Sequence, residues 1–254
     1  MSIPKPAFNS TSLTGGMAAM LCGTLIATSA ALAHDIRAKP DAKVPPAFDI
    51  TSASASTDGR LATFTMEVTG TAGAQTPKKV GKLAGARVDA YVWPTRLDPA
   101  AAGFASGSGI LALAITAHPD FDDTPLFDEN GDGDPGNDGD VWHSHWVVLA
   151  KDPACGAGGM KVRDISPGEE LPASAPGLSL ALDSPGYTPL MKGHALTVNG
   201  TTRNPQASAG AGFDAVTAKL KVNDAGRAPL LCITEVMDIA SGKLDLSGRI
   251  MEKK

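Results

Sequence analysis

The eight residues Leu61-Ala62-Thr63-Phe64-Thr65-Met66-Glu67-Val68 alternate without a break. On an extended chain Ala62, Phe64, Met66 and Val68 share one face and Thr63, Thr65 and Glu67 the other, because side chains on a strand repeat every two residues. An α-helix would scatter the same residues around its axis, so this segment is read as a half-buried strand. The turn residues Thr57-Asp58-Gly59-Arg60 precede it, and Phe48-Asp49-Ile50-Thr51-Ser52-Ala53 supplies the other arm of a hairpin. Similar short runs recur at 86–93, 109–117, 141–150, 194–199, 215–222 and 230–237. Only 211–222 is ambiguous between helix and strand. With 28 glycines and 19 prolines to punctuate turns, the expectation is an all-β chain, an antiparallel β-sandwich with long irregular loops. The proline-rich stretches 39–46 and 166–189 are expected to cross the surface as irregular chain.

Residues 1–33 read as a secretory signal. Lys5 is the only charged side chain before His34, and an apolar, small-residue stretch ends in Ala31-Leu32-Ala33, a small-x-small cleavage pattern. The stretch is interrupted by Gly23, Thr24, Thr28 and Ser29 and is short for a membrane span. A single β-sandwich domain is expected over 34–254, located in the periplasm or secreted, with no stable membrane span after cleavage. The chain carries 22 Lys and Arg against 27 Asp and Glu, and cleavage removes one lysine and no acid. That mildly acidic balance, with no basic run, argues against nucleic acid as a partner. Cleavage also removes Cys22 and leaves Cys155 and Cys232, an even pair that in an exported chain reads as one disulfide.

The run Asp128-Glu129-Asn130-Gly131-Asp132-Gly133-Asp134-Pro135-Gly136-Asn137-Asp138-Gly139-Asp140 carries oxygen ligands spaced by glycine. Alternate residues in a tight turn can point carboxylates inward, and calcium accepts six to eight oxygens. Asp128, Asn130, Asp132, Asp134, Asp138 and Asp140 are the expected calcium ligands, with Asp120, Asp122 and Asp123 just upstream as additional donors. The bland alternative is a solvated acidic turn.

Immediately after it come Val141-Trp142-His143-Ser144-His145-Trp146. On a strand His143 and His145 project from one face, about 7 Å apart, and Ser144 from the other. Two such imidazoles can share zinc or copper given a third ligand. His118 is the first choice, because it ends an apolar strand and leads through Pro119 into the acidic loop. His194 and a loop carboxylate are the other candidates. A compact connection from His118 back to His143 must bring those two strand ends together whether or not a metal binds.

Three local resemblances follow from these residues. Asp128, Asn130, Asp132 and Gly133 match the opening of an EF-hand-type loop, and the run resembles the calcium loops of dockerins and thrombospondin type 3 repeats over about a dozen residues. It departs at Gly139, where the EF-hand has a bidentate Glu. His143-Ser144-His145-Trp146 is similar to the zinc-binding His-x-His-Trp strand of α-class carbonic anhydrases. That family has a third zinc histidine further along the chain, and no histidine stands here between His145 and His194. A cut after Ala33 would expose His34 as an amino-terminal residue. Such a terminus resembles the histidine brace of lytic polysaccharide monooxygenases and periplasmic copper carriers, and implies copper held by His34 with one of His118, His143 or His145.

The metal ion is therefore the partner the sequence specifies, and the leading expectation is an exported metal-binding protein with a binding or structural role. One alternative is a copper- or zinc-dependent periplasmic enzyme using His143 and His145. Another is a calcium-stabilised carbohydrate-binding module, in which Trp93, Trp142, Trp146, Tyr91 and Tyr187 would form a stacking platform rather than core. Gly156, Gly158 and Gly159 open no helix after a strand, and there is no Gly-x-Ser-x-Gly elbow. Neither a dinucleotide site nor a serine hydrolase is indicated.

Overall fold

A computed structural model of the chain describes residues 35–59, 61–203, 208–223 and 228–253. The proposed leader and His34, and with them the histidine-brace expectation, lie outside the described residues. The strands in chain order are β1 (Ile36–Arg37), β2 (Ile50–Thr57), β3 (Leu61–Val68), β4 (Arg87–Pro94), β5 (Ile110–Ala117), β6 (His143–Lys151), β7 (Met160–Val162) and β8 (Leu182–Asp183). They continue as β9 (Leu190–Lys192), β10 (Ala195–Thr201), β11 (Gly212–Phe213), β12 (Val216–Val222), β13 (Leu231–Ile239), β14 (Gly248–Arg249) and β15 (Met251–Glu252). The helical elements of the described residues are short 3-10 turns, including Pro99–Ala102 and Pro153–Cys155. No helix among them is long and apolar enough to cross a membrane.

The all-β expectation holds, and the ambiguous segment 211–222 is strand. The β2–β3 hairpin pairs Ala53 with Met66 and Thr57 with Ala62. It lies in a sheet of order β1-β2-β3-β10-β9, with β15 alongside β2. The second sheet departs from an open sandwich layer. Its order is β5-β4-β12-β13-β7-β6, and β5 also pairs with β6. Six antiparallel strands thus close into a barrel, with β8 attached to β6. The closure depends on pairings between segments distant in sequence. β5 and β6 run together from Ile110↔Leu149 to Thr116↔His143, and three-residue β7 bridges β6 to β13. Closure removes the unpaired edges that an open sheet would expose.

The first sheet packs on the outside of β4, β5 and β6, and the contact there is sandwich-like. Phe64, Met66, Leu196 and Val198 meet the outward-facing Trp93, Leu113, Ile115 and Trp146 in one buried cluster. Phe64 lies 6.0 Å from Trp93 and 6.2 Å from Trp146, the latter edge-on. Each of these buried aromatics contributes about 2–3 kcal/mol from its removal from water. Trp93, Trp146 and Tyr91 are therefore core, and Trp142 and Tyr187 are half-buried against the same cluster. These five side chains do not form an exposed aromatic platform.

The inward face of the barrel is a second apolar cluster, with Val88, Ala90 and Val92 of β4, Ala112 and Ala114 of β5, Val147 and Leu149 of β6, and Val216, Ala218 and Leu220 of β12. Cys155 and Cys232 form a disulfide with Cα atoms 5.5 Å apart. It ties the 3-10 turn after β6 to the start of β13 and closes a loop of 77 residues.

Candidate metal centre

His143 and His145 open β6 and point into the barrel, as their alternation with Ser144 requires. Ser144 faces the other way, donating to the Tyr187 carbonyl. The register fixes their neighbours. His143 stands in one cross-strand row with Thr116, Ala90 and Ala218, and His145 in the next with Ala114, Val92 and Val216. His118 follows β5 directly. Its backbone N–H donates to the Gly139 carbonyl at 2.5 Å, so the chain leaving β5 is fastened to the chain re-entering β6. The predicted proximity of His118 and His143 is borne out: their Nε2 atoms are 3.0 Å apart.

The fourth group is Asp123. Its Oδ1 lies 3.2 Å from His118 Nε2, 3.0 Å from His143 Nε2 and 3.3 Å from His145 Nε2. All four side chains are buried, and their ligand atoms lie within 4.8 Å of one another. With metal–nitrogen bonds near 2.0–2.1 Å, neighbouring donors of a tetrahedral site stand about 3.3 Å apart. The four spacings above, 3.0–3.3 Å, lie close to that figure.

Hydrogen bonds on the far side of each ring set the tautomers. His118 Nδ1 donates to the Phe121 carbonyl at 2.9 Å, and the two rings stack at 3.9 Å. His143 Nδ1 donates to the Val141 carbonyl at 2.6 Å. Ser184 donates its hydroxyl to the Asp123 carbonyl at 2.5 Å and so accepts from His145 Nδ1 at 3.0 Å. With each Nδ1 carrying its proton, each neutral imidazole turns an Nε2 lone pair toward Asp123. Outer partners of this kind orient metal-ligating histidines. Thr116 also places its hydroxyl 3.2 Å from His143 Nε2. Neither His145 Nε2 nor Asp123 Oδ1 has a hydrogen-bond partner. Buried acceptors facing one another are unfavourable unless a cation lies between them.

The electrostatics follow the same geometry. Burial works to raise the Asp123 carboxyl, but the imidazoles of His145 and His118 hold it well below the usual carboxylate range. Burial lowers His145. At His143 burial is outweighed by the Asp123 carboxylate and the Val141 carbonyl, and its pKa is raised.

The remaining predicted residues lie elsewhere. His194 is exposed, its Nδ1 bonded to the Gly70 carbonyl. In the acidic run the carboxylates mostly accept backbone N–H groups. Asp128 accepts from Gly131, Asp132 and Gly133, Asp132 from Asp134, and Asp134 from Gly136. Asn130 accepts from Asp132. Asp128, Asn130, Asp132, Asp134 and Asp140 are exposed, and Asp138 is buried. Asp138 accepts from Glu129 and Asn130 and gathers with Asp122 and Glu129 in a group of three carboxylates. Asp120 instead accepts from Val80 and Gly81. Asp123 stands apart from these loop acids as the partner of the histidines. Its position five residues after His118 was the available signal, but grouping it with Asp120 and Asp122 as a calcium donor obscured it. Ser184 had no sequence signal.

Comparisons with protein-family models, with curated proteins and with solved structures give no match to this chain.

Proposed function

We propose that this chain is an exported metalloprotein whose centre is a zinc or copper ion held by His118, His143, His145 and Asp123. The observation that carries this reading is the convergence of three Nε2 lone pairs on one carboxylate oxygen, all buried, with every Nδ1 already engaged. Three imidazoles and a carboxylate form an N3O set suited to borderline metals rather than to calcium, which prefers oxygen donors. The Cys155–Cys232 bridge and the apolar leader ending at Ala33 support an oxidising compartment outside the cytoplasm.

Within this reading, the enzyme alternative draws on one specific observation. His118, Asp123 and His145 line a cavity inside the barrel, so the centre adjoins space that a substrate can occupy. A structural zinc site is closed by protein, whereas a catalytic one keeps a position open. The test is elemental analysis of the purified mature protein, followed by zinc and copper titration. About one equivalent is expected for the wild type, with far weaker binding by the His143→Ala/His145→Ala double variant. Equal binding by both removes the centre.

A further inference from the structure

The six-stranded barrel is incompletely filled. Ala90 faces Ala218 across the β4–β12 pair, and Ala114 stands beside Val92 and His145. Where these small side chains meet, a cavity of about 100 Å³ remains, apolar on every wall except where Thr116, His118, Asp123 and His145 reach it. Close-packed interiors leave few voids larger than a water molecule, and an apolar void of this size stays dry unless a guest enters. Its rim includes Val236, 50% exposed, and Leu244, 38% exposed. Leu244 is held at φ 53°, a left-handed backbone that non-glycine residues rarely adopt. An apolar side chain is thus kept at the mouth of the cavity despite both solvent and strain.

We propose that this cavity is a binding pocket for a small apolar monoanion, a short-chain carboxylate or thiolate. Its body would lie against Ala90, Ala114 and Ala218, and its head at the metal. The proposal rests on the metal centre above. Three neutral imidazoles and one carboxylate around a divalent ion leave one net positive charge in apolar surroundings. Such a charge is costly unless it is paired, and one anionic donor cancels it. A zinc centre can expand from four ligands to five, as catalytic zinc sites do during reaction. The volume is below the roughly 150 Å³ that accepts benzene, which limits the guest to a few carbon atoms.

The probe is butanoate, titrated calorimetrically into the zinc-loaded and metal-free full-length protein, with 1-butanol as the uncharged comparison. Cobalt-loaded protein reports head-group coordination through its visible spectrum. Butanoate is expected to bind the zinc form at least about tenfold more tightly than the metal-free form, to shift the cobalt bands, and to outcompete 1-butanol. Ala218→Leu, which adds bulk to the cavity wall at a residue that is not itself a ligand, is expected to abolish butanoate binding while zinc content stays at one equivalent. Ala90→Val serves the same purpose if the larger substitution prevents folding. A wild type that takes up zinc but gives no butanoate response overturns the pocket and leaves the centre standing. So does a cavity-filled variant that binds butanoate like the wild type. A wild type that takes up no zinc overturns both.

Discussion

His145 Nε2 lies 3.3 Å from Asp123 Oδ1, and neither atom has a hydrogen-bond partner. Ser184 commits the His145 proton to Nδ1, so two acceptors face each other in a buried space. A bound cation turns this unfavourable contact into two coordination bonds. Asp123→Ala and His145→Ala are therefore expected to remove zinc or copper binding. Ser184→Ala, which frees the tautomer but leaves every ligand in place, is expected to weaken it by about 10–100-fold, the usual cost of losing an outer partner. Calorimetric titration ranks the three. Wild-type affinity in Asp123→Ala would show that the carboxylate is not a ligand.

The protonation of the site sets a pH dependence. His143 has a raised pKa, so in the metal-free protein it is protonated up to a pH above the ordinary histidine value of about 6.5. In that state it stabilises the fold below the unfolded-state pKa, and the contribution is lost as pH rises through the folded one. Metal needs the neutral ring, so binding must displace that proton. Affinity is expected to rise with pH through the folded His143 pKa and then level off. Titrations in buffers of different ionisation enthalpy measure the proton released. No release below pH 6.5 would contradict the assignment.

Most strands were legible in the sequence because their alternation is local. The Leu61–Val68 pattern by itself fixes which side chains face the core, and His143 and His145 share a face for the same reason. His118 was reachable by a chain argument, since an apolar strand, a connecting loop and a return strand must bring their ends together. The barrel was not legible. Its closure depends on the Thr116↔His143 register and on β7, which is too short to show a period. Ser184 reaches the site from 39 residues beyond His145, a proximity that only the folded chain creates.

The disulfide closes a 77-residue loop, and in the chain-entropy model this contributes about 4 kcal/mol. The Cys155→Ala/Cys232→Ala variant is expected to lose about that much unfolding free energy in urea denaturation while still binding metal, because neither cysteine is among the ligands. Unchanged stability would place the benefit elsewhere.

The acidic run separates two effects. Asp138 is buried and accepts from Glu129 and Asn130, so Asp138→Ala is expected to destabilise the loop by about 1–3 kcal/mol with or without calcium. Asp132 is exposed and accepts from Asp134 and Asn137, so Asp132→Ala should have a small effect without calcium and a larger one if calcium binds the run. A bound ion at a hundredfold excess over its Kd adds about 2.7 kcal/mol, which a melting curve resolves. Identical curves with calcium and with chelator return the run to an ordinary turn.

Gly139 links the acidic loop to the metal centre. At this position the EF-hand pattern would place a Glu, and the fold admits no side chain there. A Cβ on Gly139 would sit 2.5 Å from the His118 carbonyl oxygen and would collide with that of Phe121. Both obstacles are backbone, and both belong to the turn that aims His118, since Phe121 stacks on its ring and accepts its Nδ1 proton. Gly139→Ala must therefore push the loop away from His118 or break the Gly139–His118 hydrogen bond. It is expected to lower zinc affinity by at least tenfold and to reduce stability by about 1–3 kcal/mol, the usual range for overpacking. Gly136→Ala is the comparison in the same loop, because its Cβ would meet only the flexible Asp134 carboxylate at 3.3 Å. It should leave zinc affinity unchanged. If the two substitutions behave alike in a zinc titration, the loop does not position His118.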